Sequence, residues 1–343
     1  MSTTSRSAMK SNIRKVETSC NHCGSSEREL ITTGVEHEYN NTTDDVFNVV
    51  RCTQCGLVYL NPRPDVSELP TIYPPNYYAY NLEEGYDEAQ KQNFYYKARY
   101  AAILQGLEAC LTFVGKKDKV RVLDIGCADG HVLNWFRRVR THHVETYGVD
   151  MNEQAVKKAE EAGHTAYAGR FEEVDLPENY FDFVWASHVI EHVPDPRQFA
   201  LKVLKILRPG GIFFFWTPNI NSLDAKIFRK QHWGAYHFPR HWVFYDPQSV
   251  RKLAELTGFE LVHLEFQPNA IFWVWTFHSI LKRNPALSKY ADTLFPPINW
   301  SQTTFGNFIR NSFFAVADIW IKIFTGQTSN MGVVFRKPGK PEQ

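Results

Sequence analysis

From residue 120 onward the apolar positions change period in regular alternation. Residues 120–124, 146–150, 165–168, 181–186 and 211–217 are short apolar runs of strand length. Between them, about 130–140, 153–162 and 196–207 repeat their apolar residues every three to four positions, the spacing of one buried helix face. Strands alternating with helices predict a parallel, doubly wound sheet. Beyond it, Asp246 followed by Pro247 opens a helix over 246–257, leading into a strand over 259–266; a last strand-like run covers 331–336. Upstream, 87–113 has helical spacing with Cys110 on its apolar stripe, and 46–50 reads as a strand.

The two closing strands are separated by 64 residues, 267–330, dense in Phe and Trp and carrying five bases against two acids. On a helical wheel 308–324 places Arg310, Asn311, Asp318 and Lys322 on one narrow side, with apolar residues around the rest. Such a helix packs as a lid or subdomain, or lies on a membrane surface. The expected organisation is a disordered lead (1–17), a cysteine module (18–62), a Pro- and Tyr-rich linker with helices (63–117), the α/β core (118–266 and 331–337) and the helical insertion (267–330).

Over 343 residues the formal charge is +1, which removes the global basic footprint of a nucleic-acid binder. The Ser- and Thr-rich start has no apolar core of a signal peptide, and no apolar run reaches eighteen residues. The expected location is the cytoplasm, with peripheral membrane contact through the insertion. The oligomeric state is not encoded in any pattern of the sequence.

Four of the six cysteines form two C-x-x-C pairs, Cys20 with Cys23 and Cys52 with Cys55, each followed by a glycine. That is the two-knuckle pattern of a zinc ribbon: two such turns fill all four positions of a tetrahedral ion, so the Zn2+ would be structural. Two disulfides are the alternative, disfavoured in a reducing compartment. The intervening segment is too small to fold by burial alone, and metal binding would supply the difference.

The first core strand runs into VLDIGCADGH. A dinucleotide fingerprint starting at Gly126 needs glycines where Ala128 and His131 stand. What remains is Asp124-x-Gly126-x-x-x-Gly130 with the acid Asp150 ending the next strand, followed in order by YFDFVWASHVIEHVPDP and LKILRPGGIFFFWTPN. Over about 118–266 this resembles the class I S-adenosylmethionine-dependent methyltransferases of small-molecule type. The resemblance implies a seven-stranded Rossmann-like sheet, S-adenosyl-L-methionine as cofactor, and a cofactor site of Asp124, Gly126, Cys127, Gly130, Asp150 and Met151. Arg170 and Phe171 after the third strand, and Ser187 and His188 at the end of the fourth, complete it. The family often has Gly-Asp where this chain has Gly169-Arg170.

HVIEH (188–192) also matches the inverted zinc-peptidase pattern, but that needs a helix, and Pro194 and Pro196 follow at once. For a hydroxyl acceptor a base is needed, and the candidates are Glu191, His192, His237 and His241. The acceptor class expected is a small molecule, glycan or lipid-linked compound. The rivals are a sugar C-methyltransferase, an RNA methyltransferase, or a non-catalytic partner-binding protein on the same fold.

Overall fold

A computed structural model describes residues 12–81, 94–139, 142–299, 302 and 304–339. Residues 1–11 of the expected lead, and 87–93 of the expected upstream helix, lie outside the described residues. In chain order the strands are β1 (Lys15–Val16), β2 (Arg28–Gly34), β3 (Phe47–Cys52), β4 (Val58–Leu60), β5 (Arg63–Pro64), β6 (Lys119–Ile125), β7 (His143–Asp150), β8 (Thr165–Ala168), β9 (Phe181–Ser187), β10 (Leu207–Pro218), β11 (Val243–Phe244), β12 (Glu260–Gln267) and β13 (Asn330–Arg336). The α-helices are α1 (Leu69–Ile72), α2 (Phe94–Leu111), α3 (His131–Phe136), α4 (Glu153–Glu161), α5 (Pro196–Ile206), α6 (Leu223–Phe228), α7 (Pro247–Thr257), α8 (Ala270–Arg283), α9 (Ser288–Leu294) and α10 (Phe305–Thr325). They fall into two compact units.

One unit, 78–218 with 246–266 and 330–343, holds a seven-stranded sheet in the order β12-β13-β10-β9-β6-β7-β8. β10, β9, β6, β7 and β8 are parallel neighbours, and β13 is antiparallel to β10. Strand order reverses beside β6, the place where open α/β sheets bind ligands at their carboxyl ends. Burial on both faces explains the near-continuous apolar runs: every residue of β9 except Ser187 is buried. Helix boundaries follow their caps. The Asp195 carboxylate accepts from the backbone N–H groups of Arg197 and Gln198, with Pro196 at the first turn. Asp246 and Ser249 form a capping box for α7, and Gly258, at φ 79°, ends it.

Two boundaries differ from the sequence expectation. β10 starts at Leu207, because its pairing with β9 shifts register between Leu207 and Ile212 and so absorbs Pro209, Gly210 and Gly211. α3 stops at Phe136, where Arg137 N–H caps back to Leu133 O and the chain turns.

The other unit, 1–77 with 219–245 and 267–329, is built on a four-stranded sheet in the order β11-β4-β3-β2. β1 pairs with β5, so order begins before the first cysteine. Gly234 lets its turn press onto α8: a Cβ there would lie 2.2 Å from Phe272 O. Its N–H donates to Thr276 Oγ1 at 2.8 Å.

Candidate functional site

In the seven-stranded unit, β6 delivers Asp124 and then a turn in which Gly126 (φ 80°), Ala128 (φ 46°) and Gly130 (φ 83°) are left-handed. Added Cβ atoms at Gly126 and Gly130 would lie 2.9 Å from Val189 and 2.7 Å from His164, so neither position accepts a side chain without movement. Cys127 is buried with its sulfur against Gly148, where a Cβ would come within 2.5 Å, and burial raises its thiol pKa. It is a packing residue by geometry.

Asp150, ending β7, receives Ala128 N–H on one carboxylate oxygen (2.9 Å) and Asn152 N–H on the other (2.8 Å). Each oxygen retains a second lone pair, so the group can still accept from a vicinal diol. Burial raises the pKa of Asp150, and burial together with Asp150 pushes that of Asp124 well above the usual range. Two crowded acids of this kind gain most from a ligand that brings hydroxyl donors and positive charge, both of which S-adenosylmethionine carries. The residues present therefore fit that cofactor.

Around this turn the other expected contacts are placed as follows. Met151 is exposed next to Asp150. The Arg170 guanidinium pairs with Glu173 at 3.1 Å and with Glu172 at 3.5 Å. Phe171 is buried, with its ring 4.9 Å from that of Phe199 and 5.1 Å from Lys202 Nζ. Ser187 is exposed at the end of β9, and His188 takes φ 54° with its N–H donating to Trp216 O at 3.0 Å. His188 Nδ1 stands 3.0 Å from Glu191 Oε1. Residues 188–195 are turns and bends, so the helix that an H-x-x-E-H metal site requires is not formed.

In the other unit, the four paired cysteines converge. Their sulfurs all lie within 4.8 Å of one another, the closest being Cys20 with Cys55 at 3.4 Å and Cys23 with Cys52 at 3.5 Å. No pair is disulfide-bonded. Thiolates about 2.3 Å from one ion stand roughly 3.8 Å apart at tetrahedral angles, so the set fits zinc. The two knuckles are built alike: Gly24 N–H donates to Cys20 O (2.8 Å) and Gly56 N–H to Cys52 O (2.9 Å), each glycine being left-handed.

His237 and His241 follow a short 3-10 turn, Gly234–Tyr236. His241 Nδ1 faces Ala235 O at 2.7 Å. A carbonyl only accepts, so Nδ1 carries the proton and, in the neutral ring, Nε2 carries the lone pair. His237 takes φ 39°, stacks on Trp275 with centroids 4.4 Å apart, and sets Nδ1 2.6 Å from Glu38 Oε1. Burial pushes the Glu38 carboxyl up to about 7.

Beside this pair lies a second one. The Arg240 guanidinium, fully buried, donates to Glu36 Oε2, to Ile72 O (2.8 Å) and to Phe238 O (3.2 Å), and lies 4.5 Å from the Tyr39 ring. Glu36, Glu38 and Arg240 were not singled out from the sequence. The one available signal was that VEHEY and HFPRH each interleave charged residues with histidine in aromatic-rich stretches.

The methyltransferase-domain family matches residues 95–264, about half of the chain. The ubiquinone biosynthesis O-methyltransferase of Leptothrix cholodnii is 32% identical over 175 residues, 45% of this chain and 72% of that protein. A sterol 24-C-methyltransferase of Gibberella zeae is 22% identical over 213 residues, 55% of this chain; the chain spans about half, 53%, of its length. The 27-O-demethylrifamycin SV methyltransferase of Amycolatopsis mediterranei is 30% identical over 122 residues, 32% of this chain and 44% of that protein. With its seven-stranded sheet, glycine turn and the Asp150 carboxylate at the next strand end, the chain belongs to the S-adenosylmethionine-dependent methyltransferases.

Proposed function

We propose that the protein methylates a hydroxyl oxygen of an apolar small molecule or lipid-linked acceptor, working at the cytoplasmic face of a membrane. The observation that carries the methyl-donor part of the reading is the Asp150 carboxylate, oriented by two backbone N–H groups beside a turn too tight for side chains. When bound, the cofactor supplies an electrophilic methyl carbon on a positively charged sulfur. Asp124, Gly126, Cys127, Gly130, Asp150, Met151, Arg170, Phe171, Ser187 and His188 would hold and orient it.

In-line transfer asks the protein mainly to align donor and acceptor and to exclude water. A positioned imidazole would take the proton of the acceptor hydroxyl, and the bound cofactor would supply the methyl group. His241 is the favoured base because its Nδ1–H is committed to a carbonyl. His237, held by Glu38, is the alternate, as is His192 with Glu191. Zn2+ on Cys20, Cys23, Cys52 and Cys55 is assigned a structural role, since four thiolates leave no open coordination position. Two relatives are named for oxygen methylation and one for carbon methylation, which favours oxygen and makes carbon an outcome to be measured.

The test is transfer of a labelled methyl group from S-adenosylmethionine to a panel: a prenylated catechol, a nucleotide-linked sugar, and transcribed ribosomal RNA. Label is expected in the prenylated catechol as an aryl methyl ether, reduced about tenfold or more in His241→Asn. Label confined to the nucleotide sugar or RNA, or attached to ring carbon, would overturn the reading.

A further inference from the structure

α10 is folded inside out. Its polar stripe faces the unit: Asn307 Nδ2 donates to Asn299 O (3.0 Å) and Gln302 O (3.1 Å), and Arg310 Nη1 to Leu294 O (3.1 Å). The Asp318 carboxylate accepts from Asn269 N–H and from Trp273 Nε1–H, both at 2.8 Å. From the apolar set Phe314 joins them, stacked on Trp273 with centroids 5.6 Å apart, and Ile321 packs against the same cluster. The opposite face is open. Phe305 is 79% exposed, Phe313 68%, Trp320 57%, Ile323 65% and Phe324 79%.

An aromatic side chain carries roughly 150–250 Å² of surface, so this face presents on the order of 1,000 Å² of apolar area. That is well above the roughly 300–600 Å² of a soluble monomer's largest patch. Over 21 residues the stripe runs about 32 Å at 1.5 Å per residue. Among the described residues no helix is long and apolar enough to cross a membrane, so the face can lie on a bilayer but not span it.

Charge selects the occupant. Segment 267–330 has Lys282, Arg283, Lys289, Arg310 and Lys322 against two acids. Asp318 is buried, Asp292 pairs with Lys282 (2.9 Å) and His278 (3.0 Å), and Arg310 is turned inward onto Leu294 O, which leaves Arg283 and Lys289 exposed with no acid of the segment set against them. A symmetric pairing of two copies through this face would bring like charges together, whereas anionic headgroups complement them. We propose that the outward face of α10 seats the protein on an anionic lipid surface, with Trp320 and Phe324 in the acyl boundary and the exposed bases Arg283 and Lys289 of the same segment meeting the headgroups. This deepens the apolar-acceptor reading, yet its test does not pass through methyl transfer.

The full-length protein is sedimented with vesicles of phosphatidylcholine containing one quarter phosphatidylglycerol, and with pure phosphatidylcholine. Partition at least tenfold stronger onto the anionic vesicles is expected. In the double variant Trp320→Glu, Phe324→Glu it should fall to background while thermal unfolding and S-adenosylmethionine affinity stay within twofold of the parent. Equal binding by the double variant, or no vesicle binding by the parent, overturns the proposal. So does a lipid-free dimer that the double variant dissolves, which would make this face an interface between copies. Vesicle binding without methylation of any apolar acceptor would instead sink the acceptor reading and leave this one standing.

Discussion

Stripping the metal from the full-length protein, or replacing Cys52 with Ser, is expected to unfold the four-stranded sheet around the cysteines. The strands are too short to hold themselves: β4 has three residues and β11 two. Cys52 is the last residue of β3, pairs across to Arg28 of β2, and its carbonyl receives the second knuckle's Gly56 N–H. Four thiolates within 4.8 Å of one another, without an ion, would repel as they ionise. Metal binding to such peptides is worth about 10–16 kcal/mol of apparent free energy near neutral pH, more than a whole small domain's stability. One zinc per chain by elemental analysis is expected, falling to zero in Cys52→Ser, with limited trypsin then cutting within 18–62. Unchanged thermal unfolding after complete metal removal would show that the cluster is not a structural centre.

Arg240→Ala is expected to cost about 3–5 kcal/mol in chemical denaturation, the range for breaking a buried ion pair by removing one partner. The loss leaves Glu36 and Glu38 buried without the cation that lowers both their pKa values. The pH dependence follows. In the parent, burial holds Glu38 at about 7, above its unfolded value of 4.5, so the protein loses stability from this group as pH rises from 4.5 through 7. Without Arg240 both carboxyls titrate higher still, and that loss extends further upward; the variant should be least destabilised near pH 5 and most near pH 8. Arg240→Lys should recover only part, because an ammonium cannot reproduce a planar fork serving Glu36, Ile72 O and Phe238 O. An Arg240→Ala protein as stable as the parent at both pH values would contradict this account.

The sheet was legible because both faces of its strands are buried, which writes unbroken apolar runs such as FDFVWA into the chain. Its helices were legible where local chemistry sets the boundary, as at Asp195-Pro196 and Asp246-Pro247. The glycine turn stood out because Gly126 and Gly130 answer to close approach, a constraint that few residues satisfy. Less visible was anything fixed by distant partners. The apolar run begins the strand at 211, and only the pairing with β9 carries the irregular start of β10 back to Leu207. Glu36 and Glu38 resemble solvated loop acids until Arg240 and His237, some 200 positions away, are seen against them. The wheel of α10 separated a polar side from an apolar one, but periodicity carries no sign: it does not say which side faces in.

The measurement that tests the central claim most directly is calorimetric titration of S-adenosylmethionine and S-adenosylhomocysteine into the zinc-loaded protein and into Asp150→Ala. The parent should bind both at one site, and the variant, folded to the same melting temperature, about a hundredfold more weakly, in keeping with a charge-assisted contact to two hydroxyls. No binding by the folded parent, or equal binding by the variant, would contradict the assignment of this turn as the methyl donor's cradle.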